Sequence, residues 1–243
     1  MCWTNKSTGD KELVIKNRSK LKNSGIFLND DLSVMSTRQK SSLLPVLKEL
    51  KRVNPRAHIR GDKIFSNGRL YDEKNIHELP IDAHKACTPS KDTVTIFSGK
   101  FSKLSNLHPC ELILEGKSWH SVEQFYQFKK ASIAGAHAAA AQILTTDDAT
   151  EAMYLGKSVI PPQAEWKEMA KDILNEALSA KFSKPVFKLA LKTAGPVIGE
   201  STYHSTYGTG FAPSHTQAFN PPAWTGENVM GKLLMDLKKK LCK

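Results

Sequence analysis

The sequence predicts an α+β protein in which a small basic module, made of one helix and a β-meander, precedes a mainly helical domain with a few short strands. Three observations support this fold class. The chain has 243 residues, of which 40% are hydrophobic, and this is enough for a sizeable core. The C-terminal half repeats apolar residues with the 3.6-residue period of a helix. Short β-branched runs next to Gly-containing turns indicate strands ahead of those helices.

Positive charge is concentrated near the beginning of the sequence. The formal net charge is +11, and residues 1–70 hold 15 Lys and Arg against 6 Asp and Glu, a net +9. The rest of the chain therefore carries only +2. A block of this sign suits phosphate backbones or acidic partners, and a solubilising arm explains it equally well.

The N-terminal part is predicted to contain an arm followed by a module. Residues 1–25 are polar and lack periodicity, so we expect a disordered basic arm there. Residues 26–75 are expected to form a small basic αβ module. Its helix covers SSLLPVLKELKRVN, with Pro45 in the opening turn. The apolar stripe of this helix consists of Leu44, Leu47 and Leu50.

The strands of the module are indicated by two turn dipeptides. Gly-Asp at 61–62 and Asn-Gly at 67–68 separate short runs, which predicts a three-stranded meander. Its expected apolar contacts are Ile59, Ile64 and Phe65.

A linker is predicted over residues 76–93, because this stretch is polar, contains two prolines and has no sustained period. The second domain is then expected to span 94–243. It opens with a strand, TVTIF at 94–98, and ELILEGKSW indicates two strands joined by a turn at Gly116.

Amphipathic segments in the second domain predict helices whose apolar faces form its core. Their sequences are AHAAAAQIL, DDATEAMYLGK, QAEWKEMAKDILNEALSAKF, VFKLALKTAG and GENVMGKLLMDLKKKL. The buried face of the third is expected to hold Trp166, Met169, Ala170, Ile173, Leu174 and Ala177. The buried face of the last is expected to hold Val229, Met230, Leu233, Leu234, Leu237 and Leu241.

The segment WHSVEQFYQFKKA places polar residues on a helix that also buries apolar ones. Ser121 followed three residues later by Gln124 has the form of a capping box, so we expect the helix to begin there. Four polar residues at i, i+3, i+4 and i+7 share one stripe, namely Glu123, Tyr126, Gln127 and Lys130. The first and last are roughly 10 Å apart along the axis, a spacing that suits a small ligand between them.

Composition argues against a metal site and a membrane protein. The four cysteines, Cys2, Cys87, Cys110 and Cys242, show no paired spacing, so we expect reduced thiols and neither a metal nor another cofactor. No run of about 18 apolar residues is present, and MCWTNKSTGD lacks the apolar core of a signal peptide. The expected location is cytoplasmic or nuclear, and the oligomeric state stays open.

A series of motifs from residue 94 onward resembles the NADAR (YbiA-like) family. The matching pieces, in order, are FSGKFSKLSNL, GKSWHSVEQFYQFKKA, LGK at 155–157, EWKEM, AKFSK, LKTAGPVIGES, YGTG and WTGENVMGKLLMDLKKKL. They cover roughly 150 residues. The resemblance implies an N-glycosidase that removes ADP-ribose from modified nucleobases, such as guanine in DNA or RNA, or that cleaves small ribosylamino pyrimidine intermediates of riboflavin synthesis.

By this resemblance Glu123 and Lys130 are the catalytic candidates. Breaking a ribosyl C–N bond develops positive charge at the anomeric carbon. A carboxylate beside it can stabilise this charge, or it can activate the water that attacks the carbon. An amine nearby can hold a phosphate or ribose hydroxyl, or form a Schiff base with the opened sugar. The substrate-binding candidates are Ser105, Asn106, Trp119, Tyr126, Gln127, Lys157, Glu200, His204, Tyr207, Gly208, Trp224, Gly226 and Asn228.

The chain departs from the family pattern at a few positions. His204 and Tyr207 stand where members usually have an Asp and a Trp, and Lys157 stands where an Arg is common. If that Asp is catalytic in other members, this chain uses His204 differently or is impaired. Separately, glycines ahead of the last helix suggest a loop whose free N–H groups could take a phosphate at the helix N-terminus. These are Gly208, Gly210, Gly226 and Gly231.

The N-terminal region has a fainter likeness of about 50 residues. SGIFLNDDLS, LLPVLKELKR and RGDKIFSNGRLY resemble the basic C-terminal domain of LINE-type retrotransposon RNA-binding proteins. This implies single-stranded nucleic acid as a partner, with phosphate contacts from Arg52, Arg56, Arg60, Lys63 and Arg69. A non-catalytic binder of ADP-ribose or nucleic acid remains an alternative to the enzyme.

Overall fold

The computed structural model describes residues 34–72 and 74–242. Its first helix, α1, spans Val34–Val53. Three short strands follow, β1 (His58–Arg60), β2 (Lys63–Ser66) and β3 (Arg69–Tyr71), in an antiparallel sheet of that order. The predicted helix and meander are therefore confirmed. The predicted arm at 1–25 lies outside the described residues.

The second turn of the meander has the backbone that its sequence requires. Asn67 and Gly68 have φ angles of 50° and 79°, as a two-residue turn between twisted antiparallel strands demands. The pairing that results aligns Ile64 with Tyr71. Ile64 is fully buried, whereas Ile59 and Phe65 are only partly covered.

Two details predicted for the first helix are wrong. The helix begins at Val34, so Pro45 lies inside it and not in its opening turn. The fully buried stripe consists of Leu43, Val46 and Leu50, while the Leu44 side chain is 54% exposed. Packing partners set this face, because the helix contacts both the sheet and the segment that follows it.

The segment predicted as a linker contains ordered elements. It includes a 3-10 turn (Ile76–Glu78), helix α2 (Ala83–Cys87) and strand β4 (Ser90–Lys91). Leu79 and the ends of α2 are buried with α1 and Phe101 in one apolar cluster. The basic module thus packs against the chain that follows it, and the division into domains stays a prediction.

Strands β5 (Val94–Phe97) and β8 (Val197–Glu200) form the sheet that carries part of the site. They pair in parallel, with Phe97 opposite Glu200, and β4 pairs antiparallel with β5. A separate hairpin of β6 (Leu112–Leu114) and β7 (Lys117–Trp119) turns at Gly116, as predicted.

The remaining elements are helices, and their bounds agree with the predicted amphipathic segments. They are α3 (Val122–Ile133), α4 (His137–Thr145), α5 (Ala149–Lys157), α6 (Gln163–Phe182), α7 (Pro185–Thr193) and α8 (Val229–Leu241). Helix α3 is central, because it packs against α4, α5 and α6. Met169 is a wrong core prediction, since its side chain is 39% exposed, and Leu233 and Leu241 are only partly buried.

The described residues contain free cysteines, and none of their helices meets the requirements of a membrane span. Cys87, Cys110 and Cys242 form no disulfide. Over residues 34–72 and 74–242, no helix has both the length and the apolar character that a membrane span requires.

Candidate active site

The start of α3 is fixed by its predicted cap. The Ser121 side chain accepts a hydrogen bond from the Gln124 amide at 3.0 Å, and the Gln124 side-chain oxygen accepts one from the His120 amide at 2.7 Å. The side-chain nitrogen of Gln124, Nε2, donates to the backbone carbonyl of Thr146 at 2.6 Å. Thr146 directly follows the end of α4. This network sets the rotation of α3 and therefore the direction of its first-turn side chains.

Glu123, in that first turn, is a buried carboxylate held from two sides. Its side chain is 4% exposed. One oxygen accepts a hydrogen bond from Gln127 Nε2 at 2.7 Å, and the other accepts one from Asn106 Nδ2. The Glu123 backbone N–H also donates to the Asn106 carbonyl at 3.1 Å. Both oxygens are thus oriented before any ligand arrives.

Burial raises the pKa of Glu123 to about 6, against the opposing effects of the Gln127 hydrogen bond and the positive charge of Lys130. The carboxyl group is therefore mostly ionised at pH 7 and becomes protonated just below that pH. A group with this pKa can exchange protons at physiological pH, which general acid and base catalysts need.

Lys130 lies two turns further along α3 and is partly buried. Burial lowers its pKa, while the negative charge of Glu123 acts in the opposite direction. Among the described residues, no hydrogen bond or salt bridge to its ammonium is found. The charge of Glu123 thus influences the pKa of this amine, and the N–H donors of the ammonium remain available to a ligand.

Glu200, at the end of β8, is a second carboxyl group beside the first. Burial raises its pKa to about 8, and the negative charge of Glu123 adds to this. Its backbone N–H donates to Asn228 Oδ1 at 3.0 Å, and Asn228 Nδ2 donates to the Ile198 carbonyl at 2.9 Å. Asn228 thereby holds the end of β8 in place. Two carboxyl groups whose pKa values are pushed apart are suited to separate acid and base roles.

Tyr126 and Tyr207 join the site through their hydroxyl groups, which are 2.5 Å apart. Burial raises the pKa of both phenols above their usual value. The Tyr126 ring also packs on Trp166 with ring centroids 5.1 Å apart.

His204 is exposed, and its ring centroid lies 5.1 Å from that of Tyr207. Its Nδ1 accepts bonds from two backbone amides, those of Thr206 and Tyr207. The neutral ring therefore carries its proton on Nε2.

Of the two tryptophans predicted to bind substrate, one is completely buried and the other is half-buried. Trp119 is 1% exposed, its ring packs against Phe125 and Phe128, and its Nε1 donates to the Leu114 carbonyl at 3.1 Å. Trp224 is half-buried and its Nε1 donates to the Ala218 carbonyl at 3.1 Å. The burial of Trp119 leaves no open ring face on which a base could stack. Substrate binding by Trp224 stays a prediction.

Three other predicted binding residues differ in exposure and contacts. Lys157 is exposed in the last turn of α5. Ser105 is 1% exposed and its hydroxyl accepts a bond from the Leu107 amide at 3.2 Å. At Gly226 a side chain would overlap with the Gly208 carbonyl, so these glycines permit close backbone packing.

The predicted phosphate site at the start of α8 is wrong. The backbone amides of residues 227–230 donate to the carbonyls of residues 205–208, with lengths of 2.7 to 3.3 Å. These donors are therefore occupied by the preceding loop and are not available to an anion.

Gly156, in α5, leaves room for the Gln127 side chain. A Cβ atom there would overlap with Gln127 Oε1, which is buried and accepts no hydrogen bond within the described part of the chain. We expect Gly156→Ala to push Gln127 off Glu123, destabilise the fold by about 1–3 kcal/mol and lower kcat. Thermal melts and initial rates check this, with Ser158→Ala, an exposed position nearby, as the control. Unchanged rates would show that Gln127 does not orient Glu123.

Sequence reasoning missed Lys181, which is completely buried in α6. The signal was present. Position 181 continues the apolar stripe of that helix at helical spacing, after Ala170, Leu174 and Ala177. A lysine on such a stripe predicts a buried amine.

Comparison with known proteins identifies the family. The sequence profile of the NADAR domain matches residues 91–242, more than half of the chain. This chain belongs to the NADAR domain family. The NMR structure of the E. coli protein YbiA is similar, with 23% sequence identity and a TM-score of 0.49, and the match covers 67% of this chain and 93% of that chain. A search of curated proteins finds no match.

Membership in the NADAR family supports an N-glycosidase type of function in general. Within residues 34–72 and 74–242, no group of three His, Cys, Asp or Glu side chains is placed to hold a metal ion.

Proposed function

We propose that this NADAR protein removes ADP-ribose from modified nucleobases, such as guanine in DNA or RNA, by hydrolysing the N-glycosidic bond. The observation that carries the proposal is the buried Glu123 carboxylate, oriented by Asn106 and Gln127, with the Glu200 carboxyl group beside it. Such a pair provides what this hydrolysis needs, a negative charge at the anomeric carbon and a proton for the leaving base.

The reaction proceeds through an oxocarbenium-like transition state. As the anomeric C–N bond breaks, its electron pair goes to the base nitrogen, and protonated Glu200 supplies the proton. Glu123 stabilises the positive charge that develops on the sugar and removes a proton from the attacking water. The water oxygen ends on the anomeric carbon, so the products are ADP-ribose and the unmodified base.

Lys130 contributes on the sugar side of the bond. Its ammonium can hold a ribose or phosphate oxygen, and its neutral form can add to the aldehyde of the opened ribose. The lowered pKa of this partly buried amine favours the neutral form more than an exposed lysine would.

This assignment predicts a bell-shaped dependence of kcat/KM on pH, with a maximum near pH 7. Activity is lost below about pH 6 as Glu123 gains a proton, and above about pH 8 as Glu200 loses one. Rates measured from pH 5 to 9 check both limbs. In Glu200→Gln we expect a lower rate that no longer declines above pH 8. An unchanged alkaline limb in this variant would remove Glu200 as the proton donor.

Nucleic acid is the proposed carrier of the modified base, and the basic module is its proposed binding surface. Among the five basic candidates, Arg56 and Arg60 are exposed and have no carboxylate partner within the described residues. The other three already pair with acidic side chains, Arg52 with Glu49, Lys63 with Asp72, and Arg69 with Glu78. We therefore expect phosphate contacts first from the unpaired arginines.

The double variant Arg56→Ala/Arg60→Ala is expected to weaken binding of single-stranded oligonucleotides and to reduce the slope of log K against log salt by about 1.4, or 0.7 per contact. Titrations between 50 and 200 mM salt check this. Arg52→Ala is the matched control, because its guanidinium is already engaged 2.8 Å from Glu49. An unchanged slope in the double variant would place nucleic acid elsewhere or nowhere.

A small N-glycoside is the second candidate substrate. The pairing of three basic candidates with acidic residues favours it, because those side chains have less charge to offer a polymer. In this alternative the site cleaves a ribosylamino pyrimidine, and the basic module has no part in turnover.

One assay separates the candidates. Purified protein and Glu123→Gln are incubated with ADP-ribosylated guanine in DNA, in RNA and as a nucleoside, and with a ribosylamino pyrimidine. Release of ADP-ribose from the first group by the wild type alone supports the proposal. Turnover of the pyrimidine alone would transfer the assignment to the small substrate, and binding of ADP-ribose without any turnover would support a non-catalytic binder.

A further inference from the structure

Lys181 is a completely buried lysine outside the carboxylate cluster. Its side chain is 0% exposed, and no Asp or Glu of the described residues forms an ion pair with it. Its ammonium faces two aromatic rings, with centroids at 5.4 Å for Phe182 and 5.0 Å for Phe187. Its Nζ donates one hydrogen bond, to the Ser105 carbonyl at 2.5 Å. The titratable groups that its charge affects are Cys110, His108 and His84.

A buried ammonium is costly, and packing alone does not require one. Methionine would fill the same volume without desolvating a charge, and exchanging buried charges for apolar side chains often leaves stability unchanged or raises it. Attraction to the aromatic faces offsets part of the cost. The other interaction that stabilises the buried ammonium is its hydrogen bond to the Ser105 carbonyl. Proteins can keep a destabilising group where its position serves function.

The peptide that Lys181 holds adjoins the residue that orients Glu123. The Ser105 carbonyl accepts bonds from Lys181 and from the His108 amide at 3.1 Å. The next residue, Asn106, accepts the Glu123 amide with its carbonyl and donates to the Glu123 carboxylate with its side chain. Fixing the Ser105 carbonyl therefore fixes the peptide plane from which Asn106 starts.

We propose that Lys181 is a positioning residue of the NADAR reaction, which holds the Ser105 carbonyl and thereby keeps the Asn106 amide against the Glu123 carboxylate. The proposal rests on the proposed function for its kinetic consequences. Its geometric consequence, the state of Glu123, can be measured without any substrate.

The test compares Lys181→Met with the wild type. We expect a melting temperature equal to or above that of the wild type, a fall in kcat of about tenfold and a KM within twofold. Lys184→Met is the matched control, because Lys184 also donates to a backbone carbonyl, that of Glu111, but not in the Asn106 loop. Its kcat should not change. In an Asn106→Ala background, Lys181→Met should cause no further loss, because both changes act on one hydrogen bond.

The substrate-free readout is the titration of Glu123, followed by carboxyl carbon-13 NMR and assigned with Glu123→Gln. Losing the Asn106 hydrogen bond disfavours the ionised form, so the titration midpoint of Glu123 in Lys181→Met should move to higher pH. If the wild type turns over no substrate, the proposed function fails while this titration still tests Lys181.

Three outcomes would overturn the proposal. One is a folded Lys181→Met with wild-type kcat and an unchanged Glu123 titration. Another is full additivity with Asn106→Ala. Should Lys181→Met not fold, Lys181→Gln, which keeps a donor, is measured in its place and should retain more activity than Asn106→Ala. The third outcome is that neither variant folds. The lysine is then required by the fold, and the positioning role is rejected.

Discussion

Replacing Glu123 with glutamine is expected to lower kcat by about a thousandfold while the protein stays folded. The glutamine oxygen can still accept the Gln127 hydrogen bond, which measures 2.7 Å in the wild type, but the glutamine amide nitrogen would meet the Asn106 donor, so the Asn106 side chain has to rotate. What is lost is the negative charge at the anomeric carbon and the base that activates water. Single-turnover rates on ADP-ribosylated guanosine measure the effect. Glu168→Gln, an exposed change on α6, is the control.

The same substitution has a predicted effect on stability. Burial raises the pKa of Glu123 from 4.5 to about 6, so the folded state holds this proton more tightly than the unfolded state. The stability that this provides is complete below pH 4.5 and is lost as the pH rises to about 6. Between these limits the wild type should lose about 2 kcal/mol relative to Glu123→Gln. Urea unfolding at pH 4.5 and pH 7 checks the sign, and an equal difference at both values would contradict the burial of an ionised Glu123.

Replacing Lys130 with methionine is expected to lower kcat by about a hundredfold, the second-largest effect. The variant keeps the apolar part of a partly buried side chain and removes only the amine that is proposed to contact the substrate. Lys129→Met is a close control. Its ammonium lies 2.5 Å from a carboxylate oxygen of Glu115, which is not one of the two carboxyl groups of the candidate site. Loss of this ammonium should therefore leave turnover unchanged.

Borohydride reduction distinguishes the roles of the Lys130 amine. If the amine adds to the opened ribose, wild-type protein treated with ADP-ribose and borohydride should gain a covalent adduct that Lys130→Met lacks. A fall in kcat without an adduct indicates an ionic contact only. Wild-type rates in Lys130→Met, with full activity in Lys129→Met, would remove this lysine from the mechanism.

The sequence was sufficient where a local pattern determines the structure. The Ser121–Gln124 cap and the Asn67-Gly68 turn depend on residues within a few positions of each other, and both form as predicted. Helical periodicity located the helices of the second domain within a few residues. The stripe from Glu123 to Lys130 follows directly from the register of α3.

Predictions failed where distant parts of the chain decide the outcome. Leu44 has the right period for burial, but α2 and Phe101 cover the neighbouring face of α1. The amides at the start of α8 are free in the sequence pattern and are taken by the loop at 205–208 in the fold. Glu200 was expected to bind substrate. That role stays a prediction, and the sequence did not indicate that the negative charge of Glu123 would raise the pKa of Glu200.

The central claim is that the Glu123 carboxylate acts on the anomeric carbon of an ADP-ribosyl base. The most direct measurement is a crystal structure of Glu123→Gln with uncleaved ADP-ribosylated guanosine. We predict the anomeric carbon about 3–3.5 Å from the side chain at position 123, with the guanine leaving group toward Glu200. A ligand bound elsewhere on the protein, with the side chain at 123 still sealed by Asn106 and Gln127, would contradict it.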